Sequence, residues 1–181
     1  EKEYADEITA TLYRADIYLN LNLWQSAADA AISGHKLFPS ESLIAAFACL
    51  ELGRYEDTLT HFLYGTLNYP STSRMLNGQQ MPKPKSNEEI RDHNTGVNLS
   101  RTLYDFKNKQ NRKSKKFFQT LLKQPRIISL IQESEDLANK WQTKNPTPKG
   151  NVFKRLQYIR SFEFAQQEAE KLIEGIGHPI H

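Results

Sequence analysis

Residues 18–39 and residues 49–70 of this chain are two versions of one pattern. The first reads YLNLNLWQSAADAAISGHKLFP and the second CLELGRYEDTLTHFLYGTLNYP, at an offset of 31 residues. In each, a Gly stands five residues before a Pro (Gly34 and Pro39, then Gly65 and Pro70), and a Ser follows that Pro (Ser40, Ser71). In each, an aromatic residue opens the second helical pattern, Trp24 in one copy and Tyr55 in the other. Two helices joined by a tight turn and ended by a proline form a hairpin that cannot bury its apolar face alone, so copies must stack. The repeat predicts an all-α chain of antiparallel helix pairs and is silent about the ligand.

Composition agrees with an elongated stack. A mean hydropathy of −0.67 with 38% hydrophobic residues is polar for a compact core but ordinary for helix arrays that keep much of their surface wet. At 181 residues the chain suits one such domain. No apolar run approaches the roughly 18 residues of a membrane helix, so no membrane association is expected. The chain opens on Glu1 rather than Met, which reads as a fragment or a processed product. Cys49 is the only cysteine; an internal disulfide and a cysteine-rich metal site are excluded, and a cytoplasmic or nuclear setting is favoured. Asn98-Leu99-Ser100 matches a glycosylation sequon, but it falls inside a predicted helix, where acceptors are rare. Charge is unevenly spread: residues 1–70 carry 10 acids against 4 bases, and the remainder 11 acids against 20 bases. That asymmetry points to two partners, or to a basic arm for an acidic one.

Periodicity places helices over residues 4–19, 24–37, 42–52 and 55–67. Asn20-Leu21-Asn22 and Gly53-Arg54 form the hairpin turns, and Pro39 and Pro70 are the stops. Residues 71–86 break the rhythm, with Asn77-Gly78 as a turn and Pro82-Lys83-Pro84 extended, and read as an inserted loop. Ser86 to Glu89 fits a capping box opening a helix over 87–107. A basic helix follows over 112–123 and stops at Pro125, which Tyr104 precedes by 21 residues, as Tyr18 precedes Pro39. A third, diverged copy is therefore expected over about 95–125. Beyond it lie a helix over 127–143, a breaker at 145–150 and one last helix over 152–174, which would cap the array with its polar face outward.

These residues resemble the tetratricopeptide repeat family, in which units of about 34 residues pair a helix A with a helix B. Ala15, Tyr18, Trp24, Ala27, Ala31, Gly34 and Pro39 fall on the family's positions in the first copy. Ala46, Gly53, Tyr55, Phe62, Gly65 and Pro70 do so in the second, with Cys49 where an aromatic and Thr58 where Ala is usual. The third keeps Tyr104, Phe117 and Pro125 but has Arg101 and Lys113 at small-residue positions. The resemblance implies an α-helical solenoid whose A helices line a concave groove for a peptide or helix of a partner protein. The implied groove residues are Leu12, Asp16, Leu19 and Asn20, then Leu43, Phe47, Leu50 and Glu51, then Asn98, Thr102, Asp105 and Phe106. The family's basic clamp for acidic chaperone tails is absent, because its positions hold Leu12, Asp16, Ile44, Thr95 and Leu99. An apolar or basic segment suits the groove better.

Three readings of function follow. The first is a noncatalytic adaptor within a larger complex, binding a protein partner in the groove without cofactor or metal. The second is binding of nucleic acid or another polyanion by the acid-free run Lys107, Lys109, Arg112, Lys113, Lys115, Lys116, Lys123 and Arg126. The third is the substrate-recognition segment of a larger enzyme. No phosphate loop, nucleophile elbow or paired catalytic carboxylate is present, and His35, His61, His93, His178 and His181 show no metal-binding spacing. Trp24 and Trp141 read as interhelix packing, and Phe106 as the aromatic most suited to a ligand contact.

Overall fold

The computed structural model describes residues 14–15, 17–19, 21–34, 39–69, 116–117, 119–121, 123–142 and 149–176. Among them every regular element is a helix. They are α1 (Trp24–Gly34), α2 (Pro39–Glu51), α3 (Tyr55–Asn68), α4 (Pro125–Gln142), α5 (Lys149–Ile159) and α6 (Phe162–Ile176). Residues 14–15, 17–19, 116–117 and 119–121 are also helical. The chain is all-α in its described part. The predicted loop 71–86, the capping box and the first helix of the third copy lie outside the described residues.

The two hairpin turns are built alike. Before α1, the amide of Asn22 donates to the carbonyl of Leu19 (3.1 Å) and that of Leu23 to Tyr18 (2.9 Å). Before α3, the amide of Gly53 donates to Leu50 (3.2 Å) and that of Arg54 to Cys49 (2.9 Å). This is one helix-ending motif, in which a left-handed residue lets two amides satisfy carbonyls of the last turn. Asn22 (φ 59°) and Gly53 (φ 75°) supply that residue, the former tolerating the conformation and the latter needing no tolerance. The same bonds thus recur at the offset of the sequence repeat.

Both prolines among the described residues stand first in a helix. Pro39 is the first residue of α2 and Pro125 the first of α4, whereas the sequence reading used both as stops. The missing amide costs nothing at a position whose amide has no helical partner, and the fixed φ suits a helix start. A second difference concerns the C-terminal helix. It is not one rod over 152–174 but two helices broken at Arg160 and Ser161. Ser161 causes the break: its Oγ accepts from the Phe164 amide (3.1 Å) and donates to the Tyr158 carbonyl (2.7 Å). It therefore caps the start of α6 while closing the end of α5.

Packing centres on α2 and α3. The α2 residues 43–50, LIAAFACL, form an unbroken apolar run, and all of them are at most 4% exposed. A helix that is apolar all round has to be covered all round. The faces are closed by α1, through Ala27, Ala28 and Ala31, and by α3, through its buried Leu59, Phe62, Leu63 and Leu67. α3 is itself enclosed, because α4 and α6 pack on the sides that α2 leaves. Its hydroxyls survive burial by bonding back along the helix: Thr58 to the Arg54 carbonyl, Thr60 to Glu56 and Thr66 to Phe62, at 2.8–3.0 Å. An open array would leave one face of each such helix to water; here residues 43–50 of α2 have none, and α3 keeps only Glu56 exposed, with Tyr55, Asp57, Tyr64 and Asn68 half-buried.

The α2–α3 approach depends on Gly65. A methyl group there would sit 2.5 Å from Cγ and 2.7 Å from Cδ2 of Leu43, which is fully buried and has no room to withdraw. Gly65→Ala is expected to cost about 1–3 kcal/mol by overpacking. Leu43→Val in the same chain should recover part of the loss, as read by chemical denaturation. Ser161→Ala should cost about 1 kcal/mol through the lost cap and lower helicity in circular dichroism. An unchanged midpoint would show that the break between α5 and α6 has another cause.

Candidate partner-binding surface

The described part of the expected groove is core. Leu19, Leu43, Phe47 and Leu50 are 0–3% exposed, and Phe47 is among the largest fully buried side chains. Their burial makes them packing residues rather than exposed ligand contacts: Leu43, Phe47 and Leu50 lie in the enclosed run of α2, and Leu19 is fully buried ahead of the first turn. Glu51 is half-buried at the end of α2. Leu12, Asp16, Asn20, Asn98, Thr102, Asp105 and Phe106 lie outside the described residues.

Of the basic run, Lys116 and Lys123 are exposed, and Lys107, Lys109, Arg112, Lys113 and Lys115 lie outside the described residues. Phe117, within the run, is not a surface aromatic: it is buried, with its ring centroid 5.3 Å from that of Tyr55. Arg126 has a structural partner. Its Nε and an Nη donate to the two oxygens of Glu168 at 3.1 and 2.8 Å, fastening the start of α4 to α6. Glu168 is only 6% exposed at its side chain while Arg126 is 50% exposed, so the carboxylate depends on the guanidinium for its solvation. The hydrogen bonds from Arg126 hold the Glu168 carboxyl below its usual range against the opposing effect of burial, and they raise Arg126.

A polar node ties the same elements together. Ser134 Oγ donates to the Leu67 carbonyl (2.8 Å) and accepts from Arg160 Nε (2.9 Å), and Asn68 donates to the Arg160 carbonyl (2.9 Å). The end of α3, the middle of α4 and the α5–α6 break therefore meet at one place. The α4–α5 pair is held from outside by Arg155, whose Nε and an Nη both reach Glu133 Oε1 at 2.9 and 2.7 Å.

What remains open is one side of α4. Pro125, Ile128, Ser129, Gln132, Glu133, Asp136, Leu137 and Lys140 recur at three and four residues and line a shallow groove along the helix. The opposite stripe, Ile127, Leu130, Ile131 and Ser134, is buried. Ile128 is 53% exposed in the groove, and Leu137 is half-buried further along it. Glu133 and Asp136 make the middle acidic, although each also bonds a neighbour, Arg155 and Gln132 respectively. Such a surface can take an amphipathic segment by apolar contact and can discriminate by charge; nothing in its lining is a nucleophile poised beside a base.

Groups with more reactive side chains are enclosed. Burial pushes the Cys49 thiol up to about 11, so it is protonated at neutral pH. Ser42 Oγ and His61 Nδ1 stand 3.4 Å apart, both buried, between α2 and α3, where they serve as an interhelix polar contact. Among the described residues no cluster of three or more His, Cys, Asp or Glu could hold a metal ion. No described helix is long and apolar enough to cross a membrane.

The groove and Glu133 were not singled out by the sequence reading, which placed binding on the first helices of each pair. A signal was present: positions 125, 128, 129, 132, 133, 136, 137 and 140 mix apolar and acidic residues on one helical face, beside a second face that is apolar.

The Arg126–Glu168 pair has a pH signature. Because the folded carboxyl lies below its ordinary value of 4.5, its contribution is fully present above that pH and is lost as pH falls through the folded value. The difference in melting temperature between the wild type and Glu168→Gln should therefore be largest at neutral pH and shrink in acid. Arg126→Met, which strands the carboxylate, should cost about 1–3 kcal/mol at pH 7. No protein-family model, curated protein or solved structure shows a significant match to this chain.

Proposed function

We propose that this chain is a noncatalytic protein-interaction module built from tetratricopeptide-like helix pairs, and that it holds an amphipathic segment of a partner, carrying Lys or Arg, along the groove of α4. One observation carries the reading: α4 is pinned on its inner side by buried apolar residues and the Arg126–Glu168 pair, yet its other side exposes Pro125, Ile128 and Asp136 beside the half-buried Glu133 and Leu137. A rigid helix with an uncovered apolar stripe is suited to receiving another helix or an extended peptide. α4 also follows the expected third copy in the chain, where a fourth first-helix would stand. The matching turns at Asn22 and Gly53 support the repeat reading of the first two pairs. Glu133, Glu135 and Asp136 against Lys140 give the middle of α4 a negative balance, which favours a basic segment over an acidic one.

The test uses a display library of roughly 20-residue segments, long enough to lie along a helix of this length at about 1.5 Å per residue. Selected binders should carry spaced apolar residues with Lys or Arg. Ile128→Arg and Asp136→Lys should each weaken the selected segment at least tenfold with no change in melting temperature, since both side chains are exposed. Binders enriched in acids, or affinity untouched by both substitutions, would refute the assignment.

A further inference from the structure

We propose that the outer face of α5, together with Trp141 at the end of α4, is a binding site for single-stranded nucleic acid. This goes beyond the groove reading and does not depend on it. The first observation is exposure of three aromatic rings on one hairpin. Trp141 and Phe153 stack with centroids 4.5 Å apart and planes at 26°, yet each remains 38% exposed. Tyr158 is 47% exposed, with the guanidinium carbon of Arg155 5.7 Å from its ring centroid. Trp141 and Phe153 bury the larger part of their surface in this stack, and Tyr158 packs edge-on with Phe164 (centroids 5.2 Å), yet each leaves part of its ring to solvent.

The second observation is charge. Residues 137–162 contain six bases (Lys140, Lys144, Lys149, Lys154, Arg155 and Arg160) and no acid. On α5 itself Lys154 is exposed between the two rings, four residues before Tyr158 and one after Phe153. Glu133 neutralises part of Arg155 from the α4 side, so Lys154 is the cation best placed to meet a phosphate. Aromatic faces interleaved with cations are the two parts of a single-strand site: bases stack on the rings whatever their sequence, and the backbone follows the positive charge. An acidic peptide would use the cations and leave the rings without a role.

Spacing separates single strands from duplexes. Phe153 and Tyr158 are five residues apart, about 140° around the helix and about 7.5 Å along its axis. That is roughly twice the 3.4 Å rise between stacked bases of a duplex strand, so neighbouring bases would have to splay onto separate rings. A flexible strand can do so and a paired one cannot.

The experiment is fluorescence anisotropy with labelled 12-nucleotide RNA and DNA single strands and the matching DNA duplex, on the full chain. Both single strands should bind more tightly than the duplex, and the log–log salt slope should be about −1.4 to −2.1, as two or three phosphate contacts require. Phe153→Ser should weaken binding about fivefold or more, the low end of one lost base stack. Lys154→Glu should weaken it further and flatten the slope. Because Phe153→Ser removes one half of the Trp141 stack, circular dichroism is recorded alongside; Lys154, which is exposed, carries the test if that variant loses helicity. In a Trp24→Phe background Trp141 is the only tryptophan, and its emission should be quenched by bound strand. Equal affinity for duplex, binding unaffected by Lys154→Glu, no binding at low salt, or tighter binding to anionic phosphatidylserine vesicles than to either strand would overturn the proposal.

Discussion

The closeness of α2 and α3 is the constraint on which the rest of this molecule depends. α2 has no polar side to offer water over residues 43–50, so it exists as a helix only while its neighbours enclose it. The approach of α3 is possible because Gly65 has no side chain where Leu43 lies. Once α3 is drawn in, its own remaining faces need cover, and α4 and α6 supply it. Each layer is thus recruited by the apolar surface that the previous one leaves exposed. The buried hydroxyls of α3 do not oppose this, since each finds a carbonyl within its own helix.

That enclosure moves function outward. Side chains on α2 that an open array would present to a ligand are fixed inside, and the surfaces with chemistry to spare belong to α4 and α5. These helices are not loose attachments. Ser134, Arg160 and Asn68 join them to the end of α3, and Arg126 with Glu168 fastens α4 to α6. These tethers join the helices that carry the groove and the aromatic rings to the core, and a surface ordered before binding loses less entropy when it binds. The groove is apolar and acidic while the neighbouring face is aromatic and basic, and the two proposed sites therefore call for ligands of opposite charge.

Much of the architecture was legible in the residues. The helix ends at Asn22 and Gly53, the inward faces at Ala27, Ala28 and Ala31 and at Leu59, Phe62 and Leu63, and the start of α3 at Tyr55 all follow from local rules of period and turn chemistry. The break at Ser161 was also written there, as a Ser followed two residues later by Glu163, but seven apolar residues at helical spacing across it spoke more loudly. Pro39 and Pro125 read as ends because a proline cannot continue the helix before it, and the structure also makes each the first residue of the next helix. The site was read less well. Leu43, Phe47 and Leu50 were assigned by their position in a repeat, although eight apolar residues in succession already argued for a helix with no wet side.

By itself, then, the sequence determined the helices, their turns and the offset at which the pattern returns, because these depend on neighbours within a few residues along the chain. Tertiary structure alone decided which faces stay exposed. Whether Ile128 meets water, whether Arg126 is spent on Glu168 and how much of Trp141 stays exposed depend on what packs against them from further along the chain. Arg126 and Glu168 are 42 residues apart in sequence, and local preference does not reach across that distance.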